Sequence, residues 1–520
     1  MFTQVSGSPF ATGSVPAGVA FSLGGGLLAT ANAGGNTVSV FSVDQSTGAL
    51  SQVSGSPFAT GSVPAGVAFS LGGGLLATAN AFDNTVSVFS VDQSTGALSQ
   101  VSGSPFATGN DPVSVAFSPG GGLLATANAT DNSVSVFSVD QSTGALTQVT
   151  HSPFATGSEP EAVAFSPNGG LLATANHNDN TVSVFSVGQS TGALTQVTGS
   201  PFGTGQLPDA VAFSPAGNLL ATGNEYGFNP TISVFSVNQS TGALTQVNNS
   251  PFATAGDPVS LMFNSSGGLL AVANSVNDEV SVYSVDQSTG ALSQVSGSPF
   301  ATGSVPAGVA FSPGGGLLAT ANATDNSVSV FSVGPPSVRI ASPAGGGVYT
   351  LGQQVATSFS CADAAYAPGI KTCRDSHGSR SPGRLNTTHP GKFTYTVVAV
   401  SKDGQQVKRS ITYTVLAMSI GKVTLSGQAA SVPLSCPAEP ASPCHATLTL
   451  KTTDHADTLH VVTVGQASAT IAAGQSKTVT VELNSTGQQL LGKRGRLQTT
   501  LTIAQSTTPL AHKILTFHQS

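Results

Sequence analysis

A segment of about 48 residues recurs seven times along the first two thirds of this chain. The tripeptide Ser-Pro-Phe marks each copy, and successive copies lie 48 residues apart except for one step of 50. The hexapeptide that begins Leu-Leu-Ala also recurs seven times and ends each time in Asn, from Asn32 to Asn322. A fixed period of this length indicates a repeat architecture in which each copy forms one structural unit.

Each repeat divides into four short segments that have the composition of β-strands. In the second repeat we predict strands at 65–70, 75–80 and 85–91 and the start of a fourth at 97–101, with Gly-rich turns between them. The third segment alternates strictly with period two, and no segment of the repeat shows helical periodicity. Four strands per repeat form the blade of a propeller, so residues 1–334 are predicted to be an all-β, seven-bladed β-propeller.

The ends of the repeat region predict how the ring closes. The seventh repeat stops after its third strand at Val333, whereas the chain begins with Thr3-Gln4-Val5, which matches a fourth strand. We expect residues 2–8 to pair with residues 327–333, because this pairing removes two exposed strand edges. The chain also begins in mid-repeat without the features of a signal peptide, so we expect either an incomplete gene start or another route of export.

Charge divides the chain near residues 334–336. Residues 1–334 contain 16 acidic and no basic side chains, whereas the remainder carries a net charge of +9. We predict a propeller at 1–334 followed by two β-sandwiches at 335–416 and 417–520, with a short helix possible around 488–496. The acidic propeller is a poor candidate for nucleic-acid binding. No stretch is apolar enough to span a bilayer, and we expect a monomer.

All four cysteines lie in the tail, as the pairs Cys361 with Cys373 and Cys436 with Cys444. Their separations of 12 and 8 residues favour local disulfides over a zinc site, in which ligands usually lie two to four residues apart. Disulfides are typical of oxidising compartments. We therefore expect an extracellular or cell-surface protein.

The amino-acid sequence of the repeat is similar to that of a known family. Residues 89–106, Phe-Ser-Val-Asp-Gln-Ser-Thr-Gly-Ala-Leu-Ser-Gln-Val-Ser-Gly-Ser-Pro-Phe, resemble the repeat of the seven-bladed, 6-phosphogluconolactonase-like propellers and of the YVTN-type surface propellers. The resemblance implies the propeller fold, and it suggests lactone hydrolysis at the top of the channel. Residues 337–416 resemble bacterial Ig-like domains, including a disulfide such as Cys361–Cys373. Residues 419–520 look like small β domains appended to exported proteins.

Differences between the repeats indicate where a site could lie. They are concentrated in two connections, one before each first strand and one between the second and third strands, which an up-and-down blade places on the same face. We call this the variable face and the opposite one the uniform face. Loops on a rigid scaffold commonly carry binding residues. The candidate residues are Glu159, Glu161, His177, Asp179, Asp209, Glu225, Tyr226, Asn229, Asp257 and Asp278, with Asn178, Phe228, Asn277 and Glu279 as further departures.

Two interpretations of these residues remain open. Clustered carboxylates and amides could bind a ligand or Ca²⁺, or they could be ordinary turn residues, which are often Asp and Asn. We favour a protein that binds a protein or cell-wall carbohydrate ligand and has no evident catalytic site. The alternative is a lactonase in which His177 acts as a base. A phosphorylated lactone is disfavoured, because an anionic substrate normally requires basic groups that residues 1–334 lack.

Overall fold

The computed structural model describes residues 2–225, 229–364, 369–402, 406–439, 442–454 and 460–519. The chain separates into two compact units, the first extending to Pro336 and the second holding nearly all of the residues from Ser337 onward. Seven separate sheets make up the first unit. They are the seven blades that the repeat predicts, numbered 1 to 7 from Pro16 to the blade that begins at Pro306.

Each blade follows the order of its strands in the sequence. The inner, first strands are Pro16–Phe21, Pro64–Phe69, Pro112–Phe117, Pro160–Phe165, Pro208–Phe213, Pro258–Phe263 and Pro306–Phe311. The second strands are Leu27–Asn32, Leu75–Asn80, Leu123–Asn128, Leu171–Asn176, Leu219–Asn224, Leu269–Asn274 and Leu317–Asn322. The third strands are Thr37–Val43, Thr85–Val91, Ser133–Val139, Thr181–Val187, Thr231–Val237, Glu279–Val285 and Ser327–Val333.

The fourth strand of each blade is divided into two short pieces by the Ser-Pro dipeptide. The first pieces are Phe2–Gln4, Leu50–Gln52, Leu98–Gln100, Leu146–Gln148, Leu194–Gln196, Leu244–Gln246 and Leu292–Gln294. The second pieces are Phe10–Ala11, Phe58–Ala59, Phe106–Ala107, Phe154–Ala155, Phe202–Gly203, Phe252–Ala253 and Phe300–Ala301. Both pieces pair antiparallel with the third strand.

The Ser-Pro-Phe motif bridges this interruption. In blade 2 the Ser104 hydroxyl accepts a hydrogen bond of 2.9 Å from the backbone N–H of Val88, at a point where the fourth strand supplies no carbonyl. The equivalent Ser hydroxyl accepts the same bond in the other six blades. The motif therefore satisfies a backbone donor that the divided strand would leave unpaired.

The N-terminal strand closes the ring as predicted. Phe2, Thr3 and Gln4 pair antiparallel with Val333, Ser332 and Phe331 in blade 7. The Phe2 side chain is buried, and its ring centroid lies 5.6 Å from that of Phe300 in blade 6. Closure therefore completes both a sheet and a contact between two blades.

The cores of the first unit lie between neighbouring blades. One cluster, for example, combines Leu75 and Val88 of blade 2 with Leu124 and Phe137 of blade 3. The invariant Asn residues at the ends of the second strands are also buried, and each forms hydrogen bonds with nearby hydroxyl groups. Asn128, which is fully buried, accepts from Thr126 and donates to Ser133 and Ser135. These seven Asn residues therefore belong to the structural framework of the blades.

The second unit contains two β-sandwiches, each with a hydrophobic core of its own. The strands of the first sandwich are Ser337–Ser342, Ala356–Ala362 and Gly383–Arg384 in one sheet and Gly347–Thr350, Gln406–Leu416, Gly391–Ser401 and Ile370–Asp375 in the other. The second sandwich has Ser419–Ile420, Ala429–Ser435, Thr424–Ser426 and Ser476–Glu482 in one sheet. Its other sheet holds His460–Ile471, Cys444–Asp454, Arg496–Gln505 and Thr508–His518.

Both predicted disulfides are present in the second unit, Cys361–Cys373 and Cys436–Cys444. A helix spans Ser485–Arg494, three residues earlier than the sequence suggested, because the Asn484 side chain accepts a hydrogen bond from the N–H of Gly487 and so caps it. Among the described residues, no helix is both long and apolar enough to cross a membrane.

Candidate binding site at one end of the propeller channel

The two variable connections of each blade do lie on the same face, and hydrogen bonds join them. In blade 4 the Asp179 carboxylate accepts a bond of 2.7 Å from the N–H of Ser158 in the connection that enters the blade. Asp278 of blade 6 accepts one of 2.8 Å from the N–H of Val305, which leads into blade 7. Asp or Asn side chains make the same two bonds in other blades. Asp179 and Asp278 therefore hold the connections of this face together through hydrogen bonds with the backbone.

A second group of candidate residues departs from the repeat at the mouth of the central channel. Glu161 and Asp209 occupy the second position of the first strand, where the other five blades have Ala or Val. His177 and Glu225 occupy the first position after the second strand, where the others have Ala or Ser. These four residues belong to blades 4 and 5. Glu161 and Asp209 line a cavity of about 220 Å³ that is formed by the beginnings of the first strands.

Side-chain contacts link these residues across blades. His177 Nδ1 lies 2.5 Å from Oδ1 of Asp209, and both side chains are mostly shielded from solvent. The carboxyl of Glu225 lies close enough to the carboxyls of Asp209 and Asp257 to raise their pKa values, and Asp257 precedes the first strand of blade 6. The residues His177, Asp209, Glu225 and Asp257 therefore form one group at the rim of the channel, with Glu161 beside them.

The electrostatic environment of this rim favours protonated carboxyls. Burial raises the pKa of Asp209, and the hydrogen bond and negative charge of Glu225 raise it further. Burial also raises the pKa of Glu161 to about 7, with contributions from Glu159, Asp111 and Glu225. The pKa of Asp257 is raised by partial burial and by Glu225. Near neutral pH the rim can therefore both donate and accept hydrogen bonds through its carboxyl groups.

The remaining candidate residues lie on other parts of the variable connections or outside the described residues. Glu159 accepts a hydrogen bond from the Asn178 amide, which joins the two variable connections of blade 4. Asn229 is exposed, and Asn277 donates to the backbone oxygen of Ala255. Glu279 begins the third strand of blade 6. Tyr226 and Phe228 lie outside the described residues.

The rim has the composition of a ligand site without an evident metal centre. Among the residues that the structure describes, no group of three or more His, Cys, Asp or Glu side chains is arranged to hold a metal ion. The Nδ1 contact with Asp209 leaves Nε2 of His177 as the ring nitrogen that could exchange a proton with a ligand or a water molecule. The site is thus suited to hydrogen bonding with polar ligands and to proton transfer.

Comparison of the seven repeats with one another did not predict a cavity at the other end of the channel. There the ends of the first strands line an apolar cavity of about 530 Å³ that includes Phe69, Phe165, Phe213 and Phe311. The connections on this uniform face change so little between repeats that the sequence predicted no site there. A signal was present, however, because a few lining positions in blades 1, 2 and 6 carry larger apolar residues than their equivalents.

Seven radially arranged four-stranded blades, closed by the N-terminal strand, define the first unit as a seven-bladed β-propeller. The family model described as "Lactonase, 7-bladed beta-propeller" matches residues 3–117, 100–207 and 202–301, which together exceed half of the chain. The chain therefore belongs to the seven-bladed lactonase propeller family.

The chain is also similar to solved structures, at low sequence identity. A crystal structure described as a putative 6-phosphogluconolactonase from Bacteroides uniformis is 21% identical, with a TM-score of 0.50, over 57% of this chain and 89% of that one. The periplasmic gluconolactonase of Pseudomonas aeruginosa is 22% identical, with a TM-score of 0.46, over 55% of this chain and 86% of that one. A comparison with curated proteins found no match.

Proposed function

We propose that this protein is an extracellular or cell-surface binding protein whose propeller holds a carbohydrate at the rim formed by His177, Asp209, Glu225, Asp257 and Glu161. The observation that carries the proposal is a set of linked, partly buried carboxyls with no Lys or Arg anywhere in residues 1–334. Such a rim repels anions, whereas sugar hydroxyls can donate to its carboxylates and accept from its protonated carboxyls.

A binding assay with cell-wall polysaccharide tests this proposal. The full chain, the variants Asp209→Asn and Glu161→Gln, and the control Asp92→Asn would be compared by pull-down and calorimetry against neutral and anionic polysaccharides. Asp92 is a suitable control because it lies in a turn of the uniform face, where blade 5 carries Asn238 naturally. We expect the neutral polymer to bind the native chain and the control, and at least one rim variant to bind about tenfold more weakly.

Three outcomes would contradict the binding proposal. They are retention of neither polymer by the native chain, native-like binding by both rim variants, and tighter binding of the anionic polymer than of the neutral one. Circular dichroism of each variant distinguishes a lost contact from a lost fold.

A second candidate function is hydrolysis of an uncharged lactone, which the family and the His177–Asp209 contact favour. In this reaction the ionised form of Asp209 would accept a hydrogen bond from Nδ1–H of His177, so that Nε2 takes a proton from water as the water oxygen bonds to the lactone carbonyl carbon. The bond from that carbon to the ring oxygen would then break, and Nε2 would return the proton to the ring oxygen. The protonated carboxyl of Glu161 could then donate a hydrogen bond to the lactone oxygen that gains negative charge. A phosphorylated lactone fits less well, since residues 1–334 supply no basic side chain.

Lactone turnover separates the two functions. A panel of neutral and phosphorylated sugar lactones would be assayed by acid release, with and without Ca²⁺, against the native chain and His177→Ala. Turnover of a neutral lactone that falls at least about 100-fold in His177→Ala would establish the enzyme. Polysaccharide binding without turnover of any lactone would exclude it in favour of the binding function.

The second unit fits an accessory role in this proposal. Its two disulfides are typical of an oxidising compartment, which supports a location outside the cytoplasm. We propose that the division at 335–416 and 417–520 marks two Ig-like domains that act as a spacer or attachment for the propeller. Limited proteolysis tests the accessory role, because cleavage near residues 334–336 should release a propeller that still binds the polymer. Loss of the propeller fold on cleavage there would contradict it.

A further inference from the structure

The apolar cavity at the uniform face is separate from the acidic rim. It has a volume of about 530 Å³, which lies within the range of small-molecule pockets. Ala, Val, Phe, Leu, Met and Pro side chains line it, and its only polar lining residues in the described chain are three serines. No charged side chain lines it among the described residues, whereas the opposite end of the channel carries Glu161 and Asp209.

The repeats show that part of this lining is not framework. Leu23 and Leu71 stand where four other blades have Pro and one has Ser, and Met262 stands where all six other blades have Ala. All three residues line the cavity, and their side chains are 50%, 48% and 39% exposed. Larger apolar groups at these three positions therefore place exposed hydrophobic surface at one mouth of the channel, where folding gains little from it.

The shape of the cavity limits its occupant. The first strands of several blades surround it, with Phe213, Phe263 and Phe311 buried in its wall. An uncharged apolar molecule would lose no ionic hydration on entering, whereas a charged one would find no compensating group. We propose that this end of the channel binds a small, uncharged, apolar molecule, with Leu23, Leu71 and Met262 as the residues that increase its affinity.

Fluorescence of N-phenyl-1-naphthylamine, a neutral apolar dye, tests the proposal on the full chain. The test variant Leu23→Pro/Leu71→Pro/Met262→Ala carries residues that other blades already have at these positions, so its fold should be preserved. The control Phe82→Ser/Val276→Ser removes two more exposed apolar side chains, which lie in turns of the variable face. We expect saturable binding with one site per chain, weakened about tenfold in the test variant and unchanged in the control.

Dye binding that is equal in the native chain and the test variant, or absent from both, would overturn the proposal. Analytical ultracentrifugation covers the other possible occupant, a second copy of this chain. Concentration-dependent dimerisation that disappears in the test variant, without saturable dye binding, would likewise overturn it. Displacement of the dye by dodecanol but not by dodecanoate would support selection against charge, whereas equal displacement by both would overturn it.

Discussion

Replacing Glu161 by Gln should stabilise the propeller above neutral pH and have little effect in acid. The pKa of this carboxyl is raised from its ordinary 4.5 to about 7, so the folded protein binds its proton more tightly than the unfolded chain does. The resulting stabilisation is complete below about pH 4.5 and is lost as the pH rises through about 7. Gln keeps the shape of the protonated side chain and does not ionise.

The size of the effect follows from the two pKa values. At about 1.4 kcal/mol per pH unit, the interval from 4.5 to about 7 corresponds to roughly 3 kcal/mol. For a domain of about 330 residues, whose unfolding entropy is roughly 0.7 kcal/mol per kelvin, this equals a change in Tm of about 4 °C. The Glu161→Gln chain should therefore unfold about 4 °C above the native chain at pH 8 and within about 1 °C of it at pH 4.5.

Differential scanning calorimetry of the full chain measures the effect on the propeller transition. Asp92→Asn is the matched control, because hydrogen bonds with Ser94 lower the pKa of Asp92 and no gain of stability is expected at pH 8. A Glu161→Gln chain that is less stable than the native chain at pH 8 would refute the reasoning. A difference of the same size at pH 4.5 and pH 8 would refute it as well.

Other predictions concern the closing strand, the buried Asn residues and the second unit. Phe2→Ala should lower the free energy of unfolding of the propeller by about 3–4 kcal/mol in urea titrations, whereas Thr3→Ala, on the exposed side of the same strand, should change it by less than about 0.5 kcal/mol. Asn128→Ala should cost about 2–3 kcal/mol in the same titration, because it removes the Asn128 hydrogen bonds of three buried hydroxyl groups, of which the Ser135 hydroxyl still accepts from the N–H of Gly109. Cys436→Ser/Cys444→Ser should lower the stability of the second unit by about 2–3 kcal/mol in calorimetry and leave the propeller transition unchanged.

The repeat predicted the fold because its framework positions recur in every blade. The alternation in Thr85–Val91 was sufficient to predict the sheets. The missing fourth strand of the last repeat was sufficient to predict how the ring closes. The division of the fourth strand was not predicted, since it depends on the Ser104 hydroxyl that replaces a carbonyl opposite Val88. Such a bond joins residues 16 positions apart and leaves no periodic trace in either segment.

The candidate site was predicted only in outline. In the sequence, Asp179 and Asp209 both looked like residues of the variable face that differ from the repeat. In the structure, Asp179 binds a backbone N–H of its own blade, whereas Asp209 lies at the channel mouth. Their positions within the repeat could have distinguished them. Asp83, Asp131 and Asp325 take the place of Asp179 in other blades, whereas Ala or Val takes the place of Asp209 in five. A polar residue that replaces a small apolar residue of the other repeats is therefore the better indication of a binding site.

The stability that these carboxyl groups cost the propeller also helps to distinguish functional residues from residues that changed by neutral drift. Glu161 and Asp209 place carboxyls where burial and neighbouring charges oppose their ionisation, so at neutral pH they lower the stability of the propeller. No Lys or Arg in 1–334 compensates them, and the Ala of most other blades would avoid the cost. Proteins tend to retain such unfavourable groups at functional sites. If Glu161→Gln both stabilises the propeller and weakens binding of the polysaccharide, the same carboxyl accounts for both, and neutral drift does not explain its presence.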